Sequence, residues 1–465
     1  MKERILFLTG RLAEGRLEKV LQGMGPTAFD WSILNVGVKV AALMTEPILM
    51  RRLPRPLDAD RVVVPGRCRA DLARLTREFD RPFQRGPDEL KDLPEFFGKA
   101  GAPLDLSRHS LRIFAEIVDA SQISLEAILA RAEILRAEGA DVIDLGCLPD
   151  TPFPHLEEAV RELKGRGFAV SIDSAEPGEL RRGGAAGADY LLSLTERNIA
   201  IAEETGARPV LIPLRHGDLA SLYRAADEAQ KRGLSAILDP VLDPIHFGFA
   251  ESLSRYRKVR ARLPEAEMFM GTGNLTELTD ADSVGITALL LGICSELGIA
   301  NALTVHVSPH TRRTIQEHDA ARRIMYAAAA DHSLPRGYGR ALLQVHDKAP
   351  FPNSGQEIGE FAALVKDDNF RIEAAEDGIH VYSRAGHYVA GDAFALFDKL
   401  GVESDGAHAF YLGAELTKAE IAFQLGKRYA QDEPLDWGCA ADRRAEDRTR
   451  LSAAGHTLRS RTASG

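Results

Sequence analysis

The chain has 465 residues, of which 45% are hydrophobic, 27% charged and 6% aromatic, with a formal net charge of −10. That length exceeds one ordinary core, so two or three domains of the soluble globular kind are expected. The acidic balance, with no lysine- or arginine-rich block inside the folded part, argues against a nucleic-acid partner, and no apolar stretch approaches the ~20 residues that span a bilayer.

The N-terminal "MKERILFLTG" carries too short an apolar run for a secretory signal and reads as a first strand, so a cytoplasmic protein is expected. Residues 1–108 alternate strand and helix: strands at 4–10, 31–37 and 60–66, a helix in "EGRLEKVLQGMG" and an apolar helical run through 38–53. Such alternation implies a small open α/β domain with a parallel sheet and helices on its faces. Gly10 and Gly15 have the spacing of a phosphate loop, but no Lys-Ser/Thr pair completes it, and no nucleotide site is assigned there. The stretch "RGPDELKDLPEFFGKAGAPLDLSRH" reads as a linker.

From 109 to 335 the rhythm is longer and more regular. Strand-like runs fall at 112–120, 141–146, 169–174, 190–195, 209–214, 235–240, 267–274 and 302–308. The segments between them place apolar residues at i, i+3 and i+4. Eight strands and eight helices in roughly 225 residues is the size and rhythm of a TIM barrel. Residues 336–439 break that rhythm with a hairpin pattern at 369–391, turning at "EDG" and "RAG", and an amphipathic helix from "AHAFYLG" through "KRYAQD", together an α+β accessory module. The tail 440–465 is small, polar and arginine-rich and is expected to be disordered. Cys68, Cys147, Cys294 and Cys439 lie too far apart to suggest a disulfide framework or a zinc site, and Cys147 reads as a loop thiol.

In a TIM barrel the side chains at the C-terminal strand ends converge on one mouth, where the chemistry sits. Here those ends supply Glu116 or Asp119, Asp144, Asp173, Ser193, Asp239, Asn274 and His306. A lone strand-end aspartate is more often a loop or helix cap than a ligand. Several of them in register with an asparagine and a histidine are harder to assign to capping. A carboxylate in such a mouth needs donors, and an amino-pyrimidinone edge offers two adjacent N–H groups, a bidentate match.

"GADVIDLGCLPDTP", "VSIDSAEPGELRRGGAAGADYLLSLT" and "AILDPVLDPIHFGF" resemble, in order and spacing over about 112–330, the pterin-binding barrel family of dihydropteroate synthases and corrinoid-dependent methyltransferases. The resemblance implies that Asp239 and Asp173 bind the pterin, with Asp144, Ser193 and Asn274 also on its site. Ser193 stands where the family usually has asparagine, and Asn274 in "GTGN" resembles the asparagine of the methyltransferase branch. Glu116 replaces the synthases' strand-one asparagine and is the candidate ligand for Mg²⁺. The synthases' lysine after strand seven is absent, and Thr304 takes the arginine position in "TVH" while His306 is kept. Arg312 and Arg313, at the start of the last barrel helix, are the candidates for the missing positive charge, with His306 and Arg312 expected to face the phosphates.

The segment "AHAFYLGAELTKAEIAFQLGKRYAQDEPLDWG" resembles the closing segment of the A subunit of the methanogens' tetrahydromethanopterin methyltransferase. The whole chain resembles dihydropteroate synthase-related proteins of organisms that use tetrahydromethanopterin. No residue points to a corrinoid, and His380, His387 and His408 read as ordinary polar positions. The resemblance implies a transferase of tetrahydromethanopterin biosynthesis that joins 6-hydroxymethyl-dihydropterin diphosphate to a ribofuranosyl-aminobenzene phosphate and releases diphosphate. A methyl-tetrahydropterin methyltransferase and a non-catalytic pterin-binding scaffold are the alternatives. The expected partners are the pterin and aryl-amine substrates, and a homodimer is the default assembly.

Overall fold

The computed structural model describes residues 2–87, 90–98 and 105–442; the tail expected to be disordered lies outside them from residue 443, as does part of the linker. The chain divides into two compact units, Met1–His109 with Arg323–Tyr338, and Ser110–Arg322 with Gly339–Gly465.

In the first unit, β1 (Glu3–Thr9), β2 (Phe29–Asn35), β3 (Arg61–Val64) and β4 (Phe83–Arg85) form a parallel sheet in the order β2-β1-β3-β4. Successive side chains of a strand face opposite sides. Ile5 and Phe7 accordingly enter a core with Leu17, Leu21 and Leu93, and Leu6 and Leu8 enter another with Leu49, Leu75 and Phe79. A strand apolar at every position is therefore one covered on both faces. The helical run expected over 38–53 is two short pieces, a 3₁₀ turn at Ala41–Leu43 and an α-helix at Glu46–Arg52.

In the second unit eight parallel strands close into a barrel: β5 (Arg112–Ile117), β6 (Val142–Gly146), β7 (Ala169–Asp173), β8 (Tyr190–Leu194), β9 (Arg208–Leu211), β10 (Ile237–Leu238), β11 (Glu267–Gly271) and β12 (Asn301–Val305). β12 pairs with β5 from Asn301↔Arg112 to Val305↔Glu116, which shuts the ring. The period-two rule then stacks the interior in layers. At the N-terminal end Arg112 bonds Asn301 (2.9 Å), Tyr190 and Glu267, and Arg208 pairs with Glu267 (2.6 Å). Above this polar floor lies an apolar layer of Phe114, Val142, Leu192, Val210, Ile237 and Phe269. The next inward position on β5 is Glu116 and on β6 Asp144, two residues past Phe114 and Val142, so the third layer is acidic.

Following the barrel, β13 (Arg371–Ala375), β14 (Gly378–Ser383) and β15 (Gly386–Ala390) make a three-stranded antiparallel meander, with both expected turns in place. Its apolar face packs with the helix Gly406–Leu425, which stops at Gly426 in a left-handed conformation (φ 56°). The helix is thus shorter than the pattern through "KRYAQD" suggested, because glycine at this position terminates it. Among the described residues no helix is long and apolar enough to cross a membrane.

Candidate functional site

A cleft of about 760 Å³ opens at the C-terminal ends of β5 to β9, with Glu116, Gly146, Cys147, Asp173, Ser193 and Asn198 among its walls. Glu116 stands in register with Asp144 across β5 and β6, Asp144 with Ser171, and Gly146 with Asp173. A Cβ added to Gly146 would come within 2.6 Å of the Glu116 carboxylate, so glycine is what makes room for it.

The electrostatics of this layer are one-sided. Burial, with Asp173 close by, pushes the Glu116 carboxyl up to about 7. Asp144 is fully buried, and burial together with the Asp173 and Glu116 charges raises it far above the carboxylate range. Its Oδ1 accepts from Ser171 Oγ, while Oδ2 is buried with no partner. An orphaned buried oxygen is costly for a carboxylate and tolerable for a neutral acid. Asp173 is also raised by burial, although it accepts from Ser193 Oγ at 2.6 Å. Ser193 reaches it from a left-handed backbone (φ 62°), uncommon for a non-glycine residue and costing of order 1–3 kcal/mol.

Asp239 closes the set from the end of β10. Both of its side-chain hydrogen bonds fall on Oδ1, from the Val241 amide (2.8 Å) and the buried Tyr256 hydroxyl (2.7 Å). Burial raises its carboxyl to about 6, with Asp173 adding to the effect. One oxygen thus caps the "DPV" turn, and the other takes no hydrogen bond from a described residue. The turn itself is strained, since Val241 is β-branched and sits at φ 67°. Arg255 holds it: Nε donates to the Pro240 carbonyl (3.1 Å), and Nη2 donates to the Val241 carbonyl and to Asp243 (both 2.7 Å). Burial penalises the Asp243 charge, but Arg255 and His216 prevail and keep its carboxyl below the usual range.

The remaining expected residues fall elsewhere. Asp119 lies past the end of β5, with its nearest cation Arg131 at 4.0 Å, so Glu116 is the strand-end acid that lines the cleft. Asn274 is exposed on the short helix Gly273–Thr276 rather than on β11, and its Nδ2 donates to the Leu242 carbonyl at 2.7 Å. It therefore braces the loop that follows Asp239. His306 follows β12; burial and the nearby Arg131 and Arg312 hold its pKa below the ordinary imidazole value. Arg312 is exposed, whereas Arg313 pairs with Asp442 at 3.1 Å. Cys147 lines the cleft, but burial and the Glu179 carboxylate push its thiol up, so it is no thiolate at neutral pH.

Four participants were not visible in the sequence. Tyr256 and Arg255 occupy neighbouring buried positions of the helix Phe249–Arg262, where "SRYRKVR" reads as an ordinary mixed face. Asn198, whose side chain accepts from the Thr195 amide at 2.7 Å, lies in a loop without a motif. Glu277 is the fourth: its carboxylate accepts from the Val307 and Ser308 amides (both 2.9 Å) and from Thr311 Oγ1 (2.6 Å), filling the anion nest that follows β12. Burial opposes its charge, but these donors keep its carboxyl below the usual range.

Taken as chemistry, the mouth offers hydrogen-bond acceptors and weak acids, and Arg197 also lines the cleft. It suits a neutral or cationic heterocycle that presents N–H groups, and Glu116 and Asp239 exchange protons near neutral pH. Among the described residues no group of three or more His, Cys, Asp or Glu is arranged to hold a metal ion.

Residues 3–88 match a family of unknown function, DUF6513. An uncharacterized protein of Methanocaldococcus jannaschii is 25% identical over an alignment of 529 residues that spans 93% of this chain and 99% of that one. Among solved structures, the Yersinia pestis dihydropteroate synthase with a pterine-sulfa conjugate is 16% identical and covers 49% of this chain and 96% of its own, with a TM-score of 0.39. The Thermus thermophilus dihydropteroate synthase in complex with 6HMPPP is 22% identical, covering 48% and 95%, with a TM-score of 0.38.

Proposed function

We propose that the barrel is a pterin-binding transferase. The observation that carries this reading is the convergence of Glu116, Asp144, Asp173 and Asp239 on one rim, where Arg255, beside Asp239, is already bonded to Asp243. Such a cradle is rich in acceptors, and the amino-pyrimidinone edge of a pterin supplies matching donors. The free oxygen of Asp239 and the Asp173 carboxylate would take the ring's N–H groups, with Ser193 orienting Asp173 and Asn274 fixing the loop behind Asp239.

The finer reading is a step of tetrahydromethanopterin biosynthesis. The amine nitrogen of a ribofuranosyl-aminobenzene phosphate attacks the exocyclic methylene of 6-hydroxymethyl-dihydropterin diphosphate. The C–N bond forms, the C–O bond to diphosphate breaks, and the amine loses a proton to a carboxylate of the mouth. The protein's tasks are then orientation and neutralisation of the leaving charge. Arg131 and Arg312 supply the positive side of the rim, with His306 held toward its neutral form beside them.

Glu277 favours a second reading. It already occupies the amides after β12, the natural anion nest of this rim, as suits a methyl-tetrahydropterin methyltransferase that expels no diphosphate. Isothermal titration with the pterin diphosphate, its diphosphate-free alcohol and a methyl-tetrahydropterin separates the two. Tighter binding of the diphosphate than of the alcohol supports the synthase, and preference for the methylated pterin supports the methyltransferase. Failure of all three to bind removes the pterin reading.

A further inference from the structure

The cleft at the barrel mouth is bipolar. Glu116 and Asp173 bring carboxyls to its lining, and Arg197, in the loop after β8, brings a positive charge to the same lining. Val118, Leu148 and Ile212 add apolar wall. A ligand that fills such a cleft has an apolar body, N–H groups for the carboxyls and an acidic group for the guanidinium. The ring order sets Arg197 apart from Arg312. One follows β8 and the other β12, and these strands stand four steps apart in a closed ring of eight, on opposite sides. One anionic group does not reach both.

The backbone of Arg197 is fixed in a tight turn. Its amide donates to Thr195 Oγ1 (3.3 Å), and the Asn198 and Ile199 amides donate to the Thr195 carbonyl (3.2 and 3.1 Å). Asn198 Oδ1 in turn accepts from the Thr195 amide (2.7 Å) and hydroxyl (3.1 Å), which closes the turn between β8 and the helix Ala200–Thr205. Glu196, next in the chain, feels the Arg197 charge, but its two oxygens accept from Arg224 of the helix Leu219–Lys231 at 2.7 and 2.9 Å. A carboxylate held by such a fork has its strong partner already. The exposed Arg197 side chain makes no hydrogen bond or ion pair with a described residue.

In a pterin-binding transferase the Arg131 and Arg312 side of the rim is left to the departing diphosphate, and Asp173 and Asp239 to the pterin. We infer that Arg197 seats the acceptor, gripping an acidic group on an aromatic amine whose nitrogen lies toward the mouth carboxyls. Carboxylate and phosphate oxygens both match the guanidinium fork, and the apolar wall takes the ring. The inference rests on the pterin-transferase reading and adds to it where the second substrate sits and which charge it carries.

The test is isothermal titration of the full chain with aniline, 4-aminobenzoate and 4-aminobenzylphosphonate, each alone and with the pterin alcohol present. Wild type is expected to bind an anionic amine at least about tenfold more tightly than aniline, the scale of one charge-assisted contact. Arg197→Ala is expected to lose that margin, while its affinity for the pterin alcohol stays that of wild type. Arg197→Lys, which keeps the charge without the planar fork, is expected to recover part of the margin. The side chain is exposed and bonds no described residue, so both variants keep their fold. A preference between the two acids that vanishes in Arg197→Ala supports the inference and names the acidic group. Wild type that binds aniline as tightly as both acids, or that takes up none of the amines, overturns it. So does Arg197→Ala that binds the acids as wild type does. A variant that loses affinity for the pterin diphosphate alone assigns Arg197 to the leaving group and overturns it as well. Failure of the pterins to bind, with an Arg197-dependent grip on the anionic amines, removes the pterin reading and supports the anion seat.

Discussion

The two parallel sheets of this chain end in opposite chemistry. At the carboxyl edge of β1 to β4 a cleft is walled by Arg67, Arg69 and Arg85, whereas at the carboxyl ends of β5 to β10 the mouth gathers Glu116, Asp144, Asp173 and Asp239. Topology chose both places by the same rule, since helical crossovers leave the strand ends as the concave rim of a parallel sheet. The charge is a separate decision, taken by one or two residues after each strand. The manner of support differs too. The basic loop is braced by exposed Arg85, which donates to the Cys68 and Ala70 carbonyls, while the acidic mouth is held from beneath by buried groups, Ser171 under Asp144 and Tyr256 and Arg255 behind the Asp239 turn.

That difference predicts where each site breaks. The largest effect is expected from Arg255→Ala, which strips the buried Asp243 of its cation and frees the strained turn at Val241. A loss of about 3–5 kcal/mol in chemical denaturation is expected, the range for a broken buried pair. A loss below about 1 kcal/mol would mean that the turn holds itself.

Asp239→Ala comes next. Removal of the charge-assisted contact is expected to weaken pterin binding by about 2–4 kcal/mol in titration. Because Oδ1 also caps Val241 and satisfies the buried Tyr256 hydroxyl, a stability loss of about 1–3 kcal/mol is expected alongside it. Asp239→Asn retains an acceptor for the cap while losing the charge, so it separates the two roles. If its pterin affinity equals that of wild type, the carboxylate is a cap alone.

Arg312→Ala sharpens the comparison within the barrel rim itself. Affinity for the pterin diphosphate is expected to fall by about 1.5–3 kcal/mol, the scale of a hydrogen bond to a charged group, with the affinity for the pterin alcohol nearly intact. If the two ligands weaken together, Arg312 acts on the ring and not on the phosphates.

The gentlest expected effect is a pH slope. Glu116 and Asp239 titrate at about 7 and about 6 in the fold, above ordinary carboxyls. The folded chain therefore holds protons that the unfolded chain has released, and the stability of the ligand-free protein falls as pH rises from about 4 through 7. Glu116→Gln is expected to flatten that fall in denaturation measured across the range. Pterin binding to the ionised carboxylates runs the other way and strengthens as pH rises through the same window. A pterin affinity independent of pH would show that the carboxyls stay neutral in the complex.

Much of this architecture is legible in the local pattern. The strand–helix rhythm from 112 to 305 places all eight barrel strands, and parity along "RIFAEI" and "VIDLG" already puts Glu116 and Asp144 on the inward side of Phe114 and Val142. Period-two alternation and the strand-ending turns are properties of short segments, so a linear reading reaches them. The acidity of the mouth is not local. It exists because ring closure brings residues 116, 144, 173 and 239, far apart in the chain, into one layer where burial raises every one of their carboxyls. Asn274 shows the same limit: its place after a strand was visible, but its bond to Leu242 depends on how two βα loops meet. Glu277 in the nest after β12, Tyr256 behind Asp239 and Arg255 beneath Val241 are further tertiary decisions. Each joins segments from 14 to 34 residues apart, and a hydrogen bond over such a separation leaves no period in the sequence for a pattern to reveal.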